Sequence, residues 1–263
     1  MVKKLIFNVA VQVIFLSLCC DASGWGRIGH DAVCYIAEQN LSHKARKNIS
    51  RFLEGGSIVE YASWMDEVRD LPEYRHTTKW HSAYVDDAGE PCMGSNFKEG
   101  TYKGDAVLEL CNLMERMKDW KESDDSTVAV GIKMIVHLVA DMHCPGHVKY
   151  PGIKGFKVIY SGAEVTYHYV WDDAVLEKMN KWGFMEYGYM LGNLPRKRVQ
   201  ELVCGTPVDW ERENARECRV IYDWAKPGDD LRKEFNLKAK ALAEKQIQKA
   251  GYRLAAVLNA IFG

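Results

Sequence analysis

The sequence predicts a mainly α-helical single domain with one small β-hairpin. Three observations lead there. Apolar residues recur at helical spacing along most of the chain, helix-boundary residues bracket those stretches, and strand signal is confined to one short central segment. Ser42 reads as the N-cap of a helix that stops at Gly55-Gly56. Across 104–120, Val107, Leu108, Cys111, Leu113 and Met114 keep helical spacing. Residues 126–142 form a strongly apolar helix ending near Pro145. Thr206-Pro207 pairs an N-cap with proline at the first helical position and opens a helix to about Trp224. The last helix sets Ile247, Leu254, Leu258 and Ile261 on one face. Residues 156–160 and 165–169 flank Ser161-Gly162-Ala163-Glu164 and form the hairpin.

With 263 residues, 47% hydrophobic and 27% charged, the chain can bury one sizeable core. It shows no internal repeat, low-complexity tract or dividing linker. The net charge is -1 and the pI is near 6.7. That balance excludes a protein that grips polyanions by overall positive charge, so any phosphate affinity must be local. The run Pro195-Arg196-Lys197-Arg198 reads as a solvated loop. No amphipathic basic helix marks a membrane-surface binder, and neither membrane attachment nor an obligate protein partner is expected.

The first 24 residues read as a signal peptide and 25–263 as the domain. Lys3 and Lys4 precede a mostly apolar run over 5–18, and Ala22-Ser23-Gly24 places small residues before a cut at Trp25. A buried core helix is the plain alternative, but the run is too short to span a membrane comfortably, and its charged start and small-residue end favour export. Lipidation at Cys19 or Cys20 fits poorly because Leu18 precedes them. The mature chain is therefore expected to be secreted or periplasmic. Six cysteines remain in it: Cys34, Cys92, Cys111, Cys144, Cys204 and Cys218. An even count permits disulfides, and buried thiols are the alternative. None lies in a C-x-x-C pair, so a cysteine-ligated zinc site is not expected. Asn48-Ile49-Ser50 fits a glycosylation acceptor.

Histidine and aspartate carry the chemistry. His137 and Asp141 are four apart, so both leave one face of the apolar helix. His168 and Asp172 repeat that spacing where the hairpin runs into the next helix, and His147 follows just past Pro145. One such pair alone reads as a hydrogen-bonded surface feature. Asp141 differs, because Val136, Leu138, Val139 and Ala140 surround it and a buried carboxylate is costly unless paired or metal-bound. Zinc accepts this donor set, and several aspartates with several histidines suit a cluster rather than one ion.

The motifs resemble those of the single-strand-specific zinc nucleases of fungi, plants and bacteria. Trp25-Gly26-Arg27-Ile28-Gly29-His30 looks like their mature N-terminus. Trp64-Met65-Asp66-Glu67-Val68-Arg69 is similar to their tryptophan-x-aspartate-x-x-arginine motif, and Trp80-His81 to the next ligand position. The stretch from His137 through Asp141 and His143 to His147 resembles their longest signature, and His168-Tyr169-Val170-Trp171-Asp172 their last. Trp210-Glu211-Arg212-Glu213 resembles a later helix motif. The resemblance implies a helical fold shared with zinc phospholipases C and a site for three Zn²⁺ ions. One would be held by Asp66, His81, His137 and Asp141, and a second by His147, His168 and Asp172. The third would take the amine and carbonyl of Trp25, with His30 and the bridging Asp141. Asp66 and Arg69 would be catalytic, and Arg69 and Tyr84 would contact substrate. Single-stranded DNA, RNA and nucleotides are the implied substrates, cut to 5′-phosphorylated products with accompanying 3′-nucleotidase action. It also suggests a Cys92–Cys218 disulfide.

Several positions depart from the pattern. Cys144 and Gly146 replace the glutamine and leucine common in the longest signature, and Thr166-Tyr167 replace asparagine and leucine before His168. Cys144 reads as a buried thiol, a disulfide partner or an extra zinc ligand. Ser82-Ala83 lengthen the run after His81, which puts base preference in doubt. His143 reads as structural or as a support for ligands, and His43 and His76 as surface residues. Tyr160, Tyr167 and Tyr169 could stack bases, though hairpin aromatics more often pack. A zinc phospholipase C is the main alternative, but the short spacing from Trp25 to His30 and the final Asp172 favour nuclease. A non-catalytic zinc- or nucleotide-binding relative is the other, and the filled ligand positions and Arg69 count against it.

Overall fold

The structure, a computed structural model, describes residues 25–263 apart from 96, 99 and 180. The expected signal segment 1–24, with Cys19 and Cys20, lies outside the described residues. The architecture is mainly α, as the sequence predicts. Helices α1 (Arg27–Gln39), α2 (His43–Phe52), α3 (Trp64–Val68), α4 (Ala106–Arg116) and α5 (Asp125–Asp141) make the first half. The second half holds α6 (Tyr167–Tyr169), α7 (Val175–Met179), α8 (Phe184–Leu191), α9 (Arg196–Leu202), α10 (Pro207–Cys218), α11 (Ile221–Trp224) and α12 (Lys233–Phe262).

α5 is the core helix. From Met134 to Asp141 every residue is buried, because α1, α3, α4 and α12 pack around it. α1 in turn lies against α12 and α8. Caps set the boundaries. The Ser42 hydroxyl accepts the Ala45 N–H at 3.1 Å, and Asp105 accepts that of Leu108 at 2.8 Å. Asp124 accepts from Thr127 N at 2.8 Å, which starts α5 one residue ahead of the sequence expectation. Thr206 and Asp209 form a reciprocal capping box at α10.

α10 stops at Cys218 instead of running to Trp224, and α11 is a separate turn. Hydroxyls hold the chain on both sides of the break: Tyr150 donates to Ala215 O at 2.6 Å and Tyr167 to Ile221 O at 2.7 Å. The basic run at 196–198 opens the solvent-facing helix α9 rather than lying in a loop.

The hairpin is tighter than the sequence suggests. β3 (Lys157–Tyr160) pairs antiparallel with β4 (Ala163–Thr166) through a two-residue turn, Ser161-Gly162, with φ of 53° and 81°. Positive φ at both positions matches the strand twist, and glycine takes the second without strain. β4 ends at Thr166 because its hydroxyl caps the next turn, accepting Tyr169 N at 3.1 Å. Tyr167 to Tyr169 are thus helical, and a π-helical turn, Val170–Ala174, follows. β5 (Asp230–Leu231) adds a parallel strand beside β3. A second ladder pairs β1 (Ala83–Tyr84) in parallel with β2 (Val148–Lys149), with Ala83 opposite Val148.

Among the described residues no disulfide is formed, so the suggested Cys92–Cys218 bond is not present in the structure. Among the described residues, no helix is long and apolar enough to cross a membrane.

Candidate metal centre

Six stretches of chain meet around the C-terminal end of α5. α5 supplies His137 and Asp141 one turn apart, α1 supplies His30, and α3 supplies Asp66 with Arg69 at its C-cap. His81 precedes β1, and His147 ends the 3₁₀ turn Pro145–His147 just before β2, so the β1–β2 ladder holds the two side by side. His168 in α6 and Asp172 in the π-helical turn close the set.

Ligand atoms fall into three neighbouring groups: Asp66, His81 and His137; His30, His137 and Asp141; and Cys144, His147 and Asp172. Asp141 Oδ2 lies 2.9 Å from His81 Nδ1 and 3.1 Å from His137 Nε2, and its Oδ1 lies 3.3 Å from His30 Nε2. Asp66 Oδ1 is 3.5 Å from His81 Nδ1, and its Oδ2 is 3.8 Å from His137 Nε2. Beside the third group His168 Nε2 sits 2.8 Å from His147 Nε2 and 3.2 Å from Asp172 Oδ2.

Backbone carbonyls aim two of the rings. His137 Nδ1 donates to Ala62 O at 2.9 Å, and His147 Nδ1 donates to the carbonyl of His81. Each bond leaves Nε2 facing the carboxylates. Both nitrogens of His30, Nε2 of His81, and Oδ1 of Asp66 and of Asp141 are buried without a hydrogen-bond partner. So many unsatisfied polar atoms at one place are costly in a fold. Imidazole nitrogen and carboxylate oxygen are the donors zinc takes, so these residues fit a metal cluster.

The electrostatics follow from that crowding. Burial opposes charge on His137, but Asp141 and Asp66 outweigh it and raise the pKa to about 9. Burial also opposes charge on Asp141, yet His137 and His147 hold it well below the usual carboxylate range. Burial pushes His147 down to about 4 and lowers His30 and His168 too. Burial, then Asp173, pushes Asp172 up. Without metal, the cluster already carries mixed protonation on its ligands.

The indole of Trp25 is buried, and Gly26 N donates to Asp172 O at 2.6 Å. This bond ties the start of α1 to the π-helical turn. A Cβ on Gly26 would fall 1.6 Å from Asp173 Oδ1 and 3.0 Å from Asp172 O, so glycine lets the two segments approach without moving the Asp173 side chain. Asp173, raised to about 6 by burial and then by Glu177 and Asp66, is a site neighbour that the sequence reading missed. The available signal was a second acid beside Asp172 in the apolar setting of Val170, Trp171, Ala174 and Val175.

Asp66, Arg69 and His168 keep 15, 18 and 21% of their side chains exposed, so the open side of the site runs along them. Arg69 Nη1 is 3.9 Å from Asp66 Oδ1. A cleft of about 500 Å³ borders His168, with Lys149, Lys154, Phe156, Lys157 and Tyr222 on its walls. Tyr84 meets Phe97 edge-on at 5.2 Å. Tyr160 and Tyr167 are packed, the latter stacked on Phe156 at 4.8 Å. His143 is structural: its Nδ1 donates to Val139 O at 2.7 Å, and its Nε2 accepts from Arg253 at 2.9 Å. His43 and His76 are exposed.

The family described as S1/P1 Nuclease matches residues 25–263. Endonuclease 4 of Arabidopsis thaliana is 25% identical, over 97% of this chain and 93% of that protein. Nuclease S1 of Aspergillus oryzae is 23% identical, over 95% of this chain and 96% of its own length. Nuclease P1 of Penicillium citrinum is 26% identical, over 91% of this chain and 98% of its own. The chain belongs to the S1/P1 nuclease family and is a nuclease of that type.

Proposed function

We propose that this protein is an exported, zinc-dependent endonuclease that hydrolyses single-stranded DNA and RNA to 5′-phosphorylated products, with accompanying 3′-nucleotidase action. The observation that carries this reading is the convergence of His30, His81 and His137 on the fully buried Asp141, with unsatisfied donor atoms left among them. Asp66, His81, His137 and Asp141 would hold one Zn²⁺, and His147, His168 and Asp172 a second. Trp25, through its amine and carbonyl, would hold a third with His30 and Asp141. Bound zinc would supply Lewis-acid stabilisation of the phosphoryl and leaving 3′ oxygens and ease deprotonation of the attacking water.

The chain's own groups do the positioning. Asp66, partly exposed and with Oδ1 making no hydrogen bond, orients the water for in-line attack. Arg69 beside it offers a planar fork to the phosphate. Tyr84 is the further substrate contact of this reading. Single strands suit the site because splayed bases can enter a pocket closed to a duplex, and the near-neutral net charge supplies no general grip on duplex phosphates. A cut after Gly24, on export to the periplasm or the medium, would create the Trp25 amine.

The test is hydrolysis of single- and double-stranded DNA and RNA by protein beginning at Trp25, with chelator, then with zinc restored. Chelator-sensitive release of 5′-nucleotides from single strands is the expected result. Turnover of phosphatidylcholine with nucleic acid untouched would overturn the reading in favour of a phospholipase.

A further inference from the structure

We infer that Cys144 is itself a ligand of the ion assigned to His147, His168 and Asp172, making that site two histidines, one aspartate and one thiolate. The inference rests on the metal-dependent reading above. Cys144 stands where the resembling family commonly has glutamine, so nothing in the family pattern requires sulfur there. It caps the turn Pro145–His147, immediately beyond α5, and its side chain is fully buried. Its Sγ lies 3.7 Å from Asp172 Oδ1, and His147 Nε2 lies 3.6 Å from the same oxygen. Sulfur, a His147 nitrogen and an Asp172 oxygen all fall within 4.8 Å of one another, and His168 Nε2 adds a fourth donor 3.2 Å from Asp172 Oδ2.

The Cys144–Asp172 and His147–Asp172 separations match the edges of a tetrahedral zinc shell, while the His147–His168 nitrogens, at 2.8 Å, stand closer than such an edge. Zinc–sulfur bonds near 2.3 Å and zinc–oxygen or zinc–nitrogen bonds near 2.1 Å put tetrahedral S···O edges at about 3.6 Å and N···O edges at about 3.4 Å. On binding, the sulfur–metal bond forms as the thiol proton leaves to solvent. The thiolate then fills the fourth position that a three-ligand zinc site leaves to water, and its softness biases the site toward zinc and against magnesium or calcium.

Cobalt reconstitution tests this. The protein beginning at Trp25 is stripped, loaded with Co²⁺, and its near-ultraviolet absorption recorded beside Cys144→Ser and Cys144→Gln. The expected result is a thiolate-to-cobalt charge-transfer band in the unmodified protein that both variants lose while keeping a matching cobalt content. Identical near-ultraviolet spectra at matching cobalt content would overturn the inference and leave Cys144 as a hydrogen-bond donor to Asp172. Should both variants fail to fold, presence or absence of the band in the unmodified protein decides. A folded protein that takes up no cobalt at all would overturn both this inference and the zinc reading. Cobalt uptake without the band would overturn only this one.

Discussion

Asp141 Oδ2 lies 3.1 Å from His137 Nε2 one turn back on α5, while its other oxygen faces His30 of α1 at 3.3 Å. One buried carboxylate therefore joins donors from two helices, and His81, from the segment before β1, is 2.9 Å from it as well. With no lysine or arginine among these partners, the buried carboxylate depends on a protonated histidine or a bound cation for its counter-charge.

Asp141→Asn tests that role. The amide keeps the shape but removes the charge that two ions are proposed to share. Metal content should fall at both sites, and kcat should drop by several kcal/mol of lost stabilisation, about 10³-fold. Metal analysis of the folded variant beside its turnover checks this. A full metal complement would rule out bridging.

Arg69→Ala should separate binding of metal from handling of phosphate. Arg69 lies at the C-cap of α3, 3.9 Å from Asp66, and is no metal ligand. The variant should keep its zinc while kcat/KM for single-stranded DNA falls about 10²-fold, and Arg69→Lys should recover only part of the loss because lysine lacks the fork. Unchanged kcat/KM in zinc-loaded Arg69→Ala would end the phosphate assignment.

Local pattern made half of this site readable from sequence. His137 and Asp141 were legible because four-residue spacing puts them on one face and an apolar helix makes the carboxylate conspicuous. His168 and Asp172 were legible from the same spacing, although the turn between them is π-helical and not α. The pairing of β1 with β2, which sets His81 beside His147, was not legible. It joins two-residue strands more than 60 positions apart, too short to leave a period. Asp173 was missed because its role depends on a backbone approach at Gly26 that only the folded chain creates. The break after Cys218 depends on hydroxyls of Tyr150 and Tyr167, which lie far away in sequence.

Proton release on metal binding at the site of Asp66, His81, His137 and Asp141 should follow His137. Burial works against its charge, but Asp141 and Asp66 raise its pKa to about 9 from 6.5. In the metal-free chain this stabilises the fold fully below pH 6.5, and the contribution is lost as pH rises through about 9. A metal must expel that proton below about pH 9 and finds none above it, so this group makes zinc affinity rise about tenfold per pH unit up to that point. His147, held near 4 mainly by burial, is already neutral at pH 7 and adds nothing there. Calorimetric titration with zinc in buffers of different ionisation enthalpy counts the protons. Affinity independent of pH between 7 and 9 would remove His137 from the ligand set.

Gly26→Ala should disable the N-terminal end of the site and leave the rest. The added Cβ would overlap Asp173 Oδ1 at 1.6 Å and press on Asp172 O at 3.0 Å, displacing the bond from Gly26 N to that carbonyl. Trp25 would move with it, and with it the amine and carbonyl proposed to hold the third ion. The ions proposed at Asp66–His81–His137 and at His147–His168–Asp172 do not use this backbone. The variant should therefore lose the zinc proposed at Trp25 and His30, with kcat reduced about 10²-fold and the fold intact by circular dichroism. Adding Asp173→Ala removes the side-chain overlap but not the contact with Asp172 O, so rescue should be partial. A Gly26→Ala protein with full metal content and full turnover would show that the Trp25 backbone holds no ion.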